Sequence, residues 1–332
     1  MVPTIDPDDV VTEEPATGEP PTDQPTTGGP TTAEPTTDEP STQATGPDGA
    51  RTTTTEEPGA EPDPVTIAMV TDLHCNVGMA PVIGAAVELA GAEAVLNAGD
   101  TVMGGTSVES VCVNAFADGI PAGVPVVVSD GNHDSETTAE QEENRGWIVL
   151  RGEPVEVAGI TILGERDPTL TSLGSPTHPQ RDETFGEMSA RLADLACQAE
   201  EAGSPVDILL VHNPSAAQGA LQSGCVPLTL NGHLHRRIGP WQAGLGIQYL
   251  SASTAGATKD TPTIGALQNP ATMTIIRWDR ANDVPMDFRL IVIDPDRTVT
   301  LGPWQSFPPE PTEPVDLPVP AAGEGPWDEE IG

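Results

Sequence analysis

Positive charge is scarce in this chain. Its 332 residues include 13 lysines and arginines against 51 acidic residues, which gives a formal net charge of −38, and Lys259 is the only lysine. Such a charge repels phosphates at long range, so the composition argues against a general surface for nucleic acids or anionic membranes. A small phosphate ester at a metal site is compatible with this charge, because bound cations restore positive charge locally.

Long apolar runs are also missing. The longest ones have the length of a strand, far short of the ~20 residues that a membrane-spanning helix needs, and no signal peptide is visible. Acidic Thr/Pro-rich spacers usually separate a domain from a cell surface, however. We therefore expect an extracytoplasmic or cell-surface location, with an upstream anchor or export signal outside this sequence. A cytoplasmic protein with an unusual tail is the alternative.

Large apolar residues are almost absent from residues 1–64, which consist mainly of Thr, Pro, Glu, Asp and Gly. This segment cannot bury enough apolar surface to offset the entropy lost on ordering. We predict that it is a disordered acidic Thr/Pro-rich spacer, and that residues 307–332 form a disordered Pro/Glu-rich tail. Residues 65–306 suffice for a single domain with a substantial core.

Cysteines are few: Cys75, Cys112, Cys197 and Cys225. An even number in an exported chain permits two disulfides. Of the three possible pairings, we favour Cys75–Cys112 and Cys197–Cys225, since each pair could join neighbouring segments. Four small buried thiols are the alternative. We expect no metal-binding role for Cys75, because a thiolate does not suit the hard ligands around it.

Short apolar runs alternate with helical stretches along the folded part. Strands are predicted at 65–71, 94–98, 124–129, 207–211 and 228–230, and helices at 81–90, 107–118 and 183–202. The β-α-β-α-β order predicts parallel strands with helical crossovers. Alternating, β-branched runs at 247–251, 272–278, 287–293 and 297–301 predict antiparallel additions. Together these elements predict two sheets packed face to face, with helices outside.

Five of the six histidines lie in short motifs that each follow a predicted strand. In chain order the motifs are Asp72-Leu73-His74, Gly99-Asp100, Gly131-Asn132-His133-Asp134, His212 and Gly232-His233-Leu234-His235. The carboxyl ends of parallel strands meet at one edge of a sheet, where α/β proteins place their sites. Alternate residues that leave a strand point the same way, so Asp72 and His74 can present both groups to one ion, and the imidazoles of His233 and His235 should lie on one side of an extended segment.

Aspartate, asparagine and histidine supply the oxygen and nitrogen donors that bind Mn, Fe or Zn. Each motif alone is weak: a Gly-Asp after a strand is commonly a turn, and a lone strand-end histidine is more often a packed side chain than a ligand. Their joint occurrence in one order favours a two-metal hydrolase. Asp134 is placed to fix the tautomer of the His133 imidazole.

The series D-x-H, GD, GNHD, H and GHxH resembles the calcineurin-like metallophosphoesterase superfamily over residues 65–305. The resemblance implies an α/β fold, a four-layer α/β/β/α sandwich of two mixed β-sheets flanked by helices. It also implies a binuclear metal centre bridged by Asp100. One ion would be held by Asp72, His74, Asp100 and His235, and the second by Asp100, Asn132, His212 and His233. His133 would bind no metal and would act, with Asp134, at the leaving group.

By the same resemblance, the chain is a hydrolase acting on phosphoric ester bonds. It would cleave a phosphomonoester or phosphodiester of a small molecule with a hydroxide that bridges two divalent or trivalent ions. Serine/threonine protein phosphatases of the superfamily carry Asp-Arg-Gly shortly after the Gly-Asp. Residues 101–105 (TVMGG) contain neither the aspartate nor the arginine, which argues against that branch.

Arg236 and Arg237 directly follow His235, so they are candidates to contact a substrate phosphate. Two solvated arginines are an equally good interpretation. Two alternatives for the whole chain also stay open. One is a cell-surface interaction or stalk protein whose metal site is only structural, and the other is a nuclease, which the acidic composition disfavours.

Overall fold

The computed structural model describes residues 11–12, 60–172, 174–258 and 263–317. Most of the predicted spacer and residues 318–332 of the predicted tail lie outside the described residues. The predicted boundary between the spacer and the domain therefore stays a prediction.

Seventeen strands and five α-helices are present in the described part of the chain. The strands are β1 (Val11–Thr12), β2 (Pro64–Val70), β3 (Ala94–Asn97), β4 (Val126–Val128), β5 (Ile148–Val149), β6 (Val155–Val157), β7 (Ile160–Gly164), β8 (Thr169–Leu170), β9 (His178–Pro179), β10 (Ile208–Leu210), β11 (Leu228–Asn231), β12 (Ile238–Ala243), β13 (Gly246–Leu250), β14 (Ala271–Asp279), β15 (Val284–Ile293), β16 (Val299–Leu301) and β17 (Gln305–Ser306). The helices are α1 (Ala80–Ala90), α2 (Ser110–Gly119), α3 (Glu136–Asn144), α4 (Phe185–Glu201) and α5 (Gln218–Ser223).

Two large mixed sheets carry the fold. The first has the strand order β1-β16-β15-β14-β2-β3-β4-β5, with β17 paired to β15, and the second has the order β12-β13-β11-β10-β7-β6. Strands β2 to β5 run parallel in the first sheet, and β7, β10, β11 and β13 run parallel in the second. Strands β8 and β9 form a separate hairpin.

The register of the parallel strands brings their carboxyl ends level. Asn97 of β3 lies opposite both Val70 of β2 and Val128 of β4. In the second sheet, Leu210 of β10 lies opposite Leu230 of β11. The loops that follow these strands therefore emerge at the same height, which is what places the sequence motifs side by side.

Three apolar cores separate four layers. Alternate residues of β2 face opposite ways: Ile67 and Met69 pack between the two sheets, while Ala68 and Val70 pack against α1 and α2. In the second sheet, Leu209 belongs to a third core with α4 and α5. This α/β/β/α arrangement confirms the predicted fold class.

Helix ends follow local sequence signals. Pro81 lies in the first turn of α1, and Gly91 ends that helix with φ 62°. At the start of α4, the Thr184 hydroxyl accepts from the Glu187 backbone N–H at 3.3 Å, and the Glu187 carboxylate accepts from the Thr184 N–H at 2.9 Å. This reciprocal cap fixes where α4 begins.

One predicted strand direction is wrong. The sequence predicts that the run at 247–251 joins a sheet as an antiparallel strand. The other three runs predicted in this way do so, as β14, β15 and β16. Strand β13 instead pairs parallel with β11 and antiparallel with β12. Because β12 returns from the site edge first, the following strand runs in the same direction as β11.

Contacts with the domain continue beyond the predicted boundary at residue 306. Phe307 is buried in the core between the sheets. Val315 and Gly244 exchange two backbone hydrogen bonds of 2.9 and 3.0 Å. The chain thus packs on the domain up to this bridge at least.

Two disulfides join the helical layers to neighbouring loops. Cys75 bonds to Cys112 of α2, and Cys197 of α4 bonds to Cys225, just before β11. Both predicted pairings are confirmed, and no cysteine is left free. Among the described residues, no helix combines the length and apolar character that a bilayer crossing requires.

Candidate metal centre

All five sequence motifs meet at the edge formed by the carboxyl ends of the parallel strands. Strands β2, β3 and β4 lead into the first three motifs, and β10 and β11 lead into the last two. The loops after β2 and β3 are joined directly: the backbone N–H groups of Asp72 and His74 donate to the carbonyls of Gly99 and Asp100, each at 2.9 Å.

Four of the predicted ligands form one compact group. One donor atom each from Asp72, His74, Asp100 and His235 lies within 4.8 Å of the others. The Nε2 atoms of His74 and His235 are 3.0 Å apart, and His235 Nε2 is 3.3 Å from Asp72 Oδ1. Three of the four residues are buried.

The remaining three predicted ligands converge beside this group. His212 Nε2 is 3.2 Å from Asp100 Oδ2 and 3.2 Å from His233 Nδ1. His233 Nδ1 is in turn 3.0 Å from Asn132 Oδ1. Asp100 Oδ2 is also 3.7 Å from His74 Nε2, so this carboxylate lies between the two groups, where a bridging ligand is predicted.

The backbone at the site is left-handed, which corrects the predicted way in which the ligands are presented. Nine non-glycine residues of the described chain have positive φ, and five of them are predicted ligands: Asp72, His74, Asp100, His233 and His235. The paired residues are therefore not presented by an extended segment. Each such residue costs about 1–3 kcal/mol, and such strain commonly collects at functional sites.

Two motif glycines allow the loops to approach each other. A Cβ atom at Gly131 would collide with the Asp100 carboxylate, and one at Gly232 would collide with Thr71 and Asp72. Glycine at these two positions lets the backbone of one loop lie against the carboxylate of another.

His133 lies beside the cluster, but its partner differs from the prediction. Its ring is edge-on to His74 with centroids 5.0 Å apart. Nδ1 is 3.0 Å from the Met103 carbonyl oxygen; a carbonyl can only accept, so Nδ1 donates in this contact and Nε2 is left for other partners. Every residue has a backbone carbonyl, so the residue type at position 103 gave no indication that Met103 would be the partner of His133.

Asp134 does not contact the His133 ring, so its predicted orienting role is wrong. Its carboxylate is fully buried and accepts from the backbone N–H groups of Gly131, Thr101 and Val102 at 2.9 to 3.2 Å. Asp134 therefore fastens the loop after β3 to the loop after β4. Asp134 can therefore influence the position of the predicted ligands only by holding the backbone of these two loops.

Arg236 and Arg237 are exposed next to His235. The Arg237 guanidinium donates to the Gly239 carbonyl at 2.7 Å. A contact between either arginine and a substrate phosphate stays a prediction.

The buried imidazoles differ in the direction in which their pKa values are shifted. Burial lowers the pKa of His74 to about 4 and that of His233 to about 3, because a charged ring is poorly solvated there. Burial also acts to lower the pKa of His212, but Asp100, Asp72 and Asp167 outweigh it and raise that pKa to about 10.

The donor set fits a cation. In the compact group, two imidazole Nε2 atoms face each other beside two buried carboxylates. Lone pairs that converge in this way repel one another unless a proton or a metal ion lies between them. Carboxylate oxygens with imidazole nitrogens suit Mn, Fe or Zn.

The family model described as calcineurin-like phosphoesterase matches residues 65–237, more than half of the chain. This chain belongs to the calcineurin-like phosphoesterase family. It is therefore a metal-dependent hydrolase of phosphoric esters. The match includes every motif from Asp72 to His235 and ends just after them.

Several solved structures resemble this calcineurin-like phosphoesterase at low identity. An archaeal phosphodiesterase is 15% identical with a TM-score of 0.42, over 69% of this chain and 99% of that one. The protein TT1561 of Thermus thermophilus is 12% identical with a TM-score of 0.46, over 70% and 99%. A dimetal phosphatase from Danio rerio is 10% identical with a TM-score of 0.44, over 70% and 96%. No curated protein matches the chain.

Proposed function

We propose that this phosphoesterase holds two cations and hydrolyses a phosphomonoester or phosphodiester of a small molecule. The observation that supports the proposal is the position of the Asp100 carboxylate. It lies 3.2 Å from His212 Nε2 and 3.7 Å from His74 Nε2, so it can serve both ligand groups. Asp72, His74 and His235 would complete one site, and Asn132, His212 and His233 the other.

Two such cations supply Lewis-acid stabilisation of the phosphoryl oxygens and a water of lowered pKa. The protein residues hold the geometry. His212 Nδ1 donates to the Ala98 carbonyl at 2.7 Å, which turns Nε2 toward Asp100. The left-handed backbone at five predicted ligands keeps their donor atoms at the strand ends before any substrate arrives.

His133 would assist the departure of the ester oxygen. Because Met103 fixes the proton on Nδ1, Nε2 is the nitrogen that can carry a second proton to the leaving group. We expect His133→Ala to reduce turnover by about 10²- to 10⁴-fold while both cations stay bound. Phosphoester kinetics together with metal analysis of the same sample test this role. Loss of metal with the activity would contradict it.

The substrate class is tested with p-nitrophenyl phosphate and bis-p-nitrophenyl phosphate, each with Mn²⁺, Zn²⁺ or Fe²⁺. Preference for one of them would separate a phosphomonoesterase from a phosphodiesterase. Failure to cleave either ester with any of these metals would favour the rival interpretation, an interaction protein with a structural metal site. The nuclease alternative predicts cleavage of plasmid DNA, which the net charge of −38 disfavours.

An extracytoplasmic location is part of the proposal. Two disulfides and no free cysteine are typical of proteins from oxidising compartments. Fractionation of the source cells tests it, and a purely cytoplasmic pool with reduced cysteines would contradict it.

A further inference from the structure

The hairpin of β8 and β9 lies directly against the Asn132 loop. Thr171, just after β8, donates its backbone N–H to the Asn132 carbonyl at 2.6 Å. The side chains meet as well, because Asn132 Nδ2 donates to Thr171 Oγ1 at 2.9 Å. A second hydroxyl extends this series of hydrogen bonds, since Thr177 Oγ1 is 2.7 Å from Thr171 Oγ1.

The orientation of the Asn132 amide decides whether this residue can bind a cation. Its Oδ1 faces His233 Nδ1 at 3.0 Å, while its Nδ2 faces away toward Thr171. An amide oxygen has lone pairs for a metal, whereas the amide NH₂ group has only donor hydrogens. A half-turn of the amide would exchange these two ends and remove a ligand from the predicted second site.

We propose that Thr171 is a positioning residue, which fixes the Asn132 amide with its oxygen toward the second cation site. The Thr171 hydroxyl oxygen can accept from an NH₂ group and also form a hydrogen bond with Thr177. If the amide turned over, the Thr171 hydroxyl would have to donate to Oδ1 instead of accepting from Nδ2. The Nδ2 group, which has no lone pair for a metal, would then face the His233 ring and the second cation site. This inference rests on the proposed two-cation centre.

Thr171→Val is the direct test, because valine keeps the shape of threonine and the backbone bond to Asn132 but lacks the hydroxyl. We expect the affinity of the second Mn²⁺ to fall about 10- to 100-fold, as is typical when a group that supports a ligand is lost. The first Mn²⁺ should bind as in the wild type. Calorimetric titration of the metal-free chain with Mn²⁺ measures both affinities, and Thr171→Ser should restore the second.

Thr177→Val is the matched control. It removes a hydroxyl from the same hairpin but leaves the acceptor that Asn132 uses, so the second Mn²⁺ should bind as in the wild type. If Thr177→Val and Thr171→Val weakened binding equally, the hairpin would have only a general structural role, and the inference would fail.

A second substitution tests the amide orientation itself. Both oxygens of a carboxylate can bind a cation, so a half-turn of the side chain has no consequence in Asn132→Asp. In that background, adding Thr171→Val should change Mn²⁺ affinity only within about twofold. An equal loss in both backgrounds would overturn the inference.

Failure of this inference and failure of the proposed function give different results. If the wild type binds fewer than two Mn²⁺, the proposed centre is wrong. If the wild type binds two and Thr171→Val also binds both with unchanged affinity, only the role of Thr171 is wrong.

Discussion

The two sheets bring different chemistry to the same edge. The first supplies three of the predicted ligands as carboxylates or an amide (Asp72, Asp100 and Asn132) and one as an imidazole (His74). The second supplies three predicted ligands, all of them imidazoles. Ion pairs link the two sides, with His212 beside Asp100 and His235 beside Asp72. Neither sheet contains all the predicted ligands, so the proposed centre requires both sheets.

The two sides also differ in how close a disulfide lies to their predicted ligands. On the first, the Cys75–Cys112 disulfide begins one residue after His74 and ties that loop to α2. On the second, Cys197–Cys225 joins α4 to the segment before β11, with the whole strand between it and the ligands that follow. The first disulfide should therefore affect the centre and the second only the fold.

The largest loss of metal binding and activity is expected from a substitution of Asp100, which lies between the two sides. Asp100→Asn should abolish binding of at least one cation and lower activity by more than the roughly 10- to 100-fold typical of a residue that only supports a ligand. The reason is that one carboxylate serves both groups. Metal analysis and phosphoester kinetics measure the loss, with exposed Asp194→Asn on α4 as the control. Retention of both cations would show that the two sides are independent.

The disulfides give the next contrast. Cys75→Ala with Cys112→Ala, and Cys197→Ala with Cys225→Ala, should each lower the free energy of unfolding by about 2–4 kcal/mol. Only the first pair should also weaken Mn²⁺ binding, because it releases the loop that carries Asp72 and His74. Urea unfolding and calorimetry separate the two effects. Equal loss of affinity in both double variants would remove the distinction.

A pH effect should come from the second sheet. The carboxylates around His212 raise its pKa to about 10, well above the ~6.5 of an unfolded chain. The stability from this charged ring is thus complete below pH ~6.5 and is lost as the pH rises toward about 10. Urea unfolding of the chelator-treated chain between pH 6 and 10 should show this decline, and His212→Gln should flatten it. A parallel decline in the variant would contradict the assignment.

The smallest change in stability should come from the buried acidic residues around α3. Burial, together with Asp130 and Asp134, raises the pKa of Glu142 well above its ordinary value. Ionisation is therefore disfavoured in the folded state, and stability falls as the pH rises above the unfolded value of ~4.3. Glu142→Gln should be more stable than the wild type at pH 8 and similar at pH 4. Exposed Glu140→Gln is the control in the same urea experiment, and an equal gain there would contradict this origin.

Much of the fold could be predicted because its apolar pattern is local. The runs at β2, β3 and β10 are buried on both faces, so they stand out as continuous apolar segments. Helix α3 could not be found in this way. Its sequence ETTAEQEEN has almost no apolar stripe, and it is set by the Ser135 cap and by packing of Ala139.

The site residues could be found from their types and order, but their conformation could not. The strand ends predict where Asp72 and His233 lie, yet both adopt left-handed backbone that tertiary contacts impose. The contacts of Asp134 with backbone N–H groups were equally invisible, because they depend on how two loops pack.

The left-handed backbone of the five predicted ligands has a consequence for protein engineering. The five motifs would not carry their chemistry into another scaffold as short cassettes, because an isolated peptide relaxes to right-handed or extended backbone. A transplant would have to include the parallel strands and the motif glycines whose packing holds those dihedral angles. The unit that could be transferred is therefore the whole edge of the sheets, and the sequence motifs alone would not be sufficient.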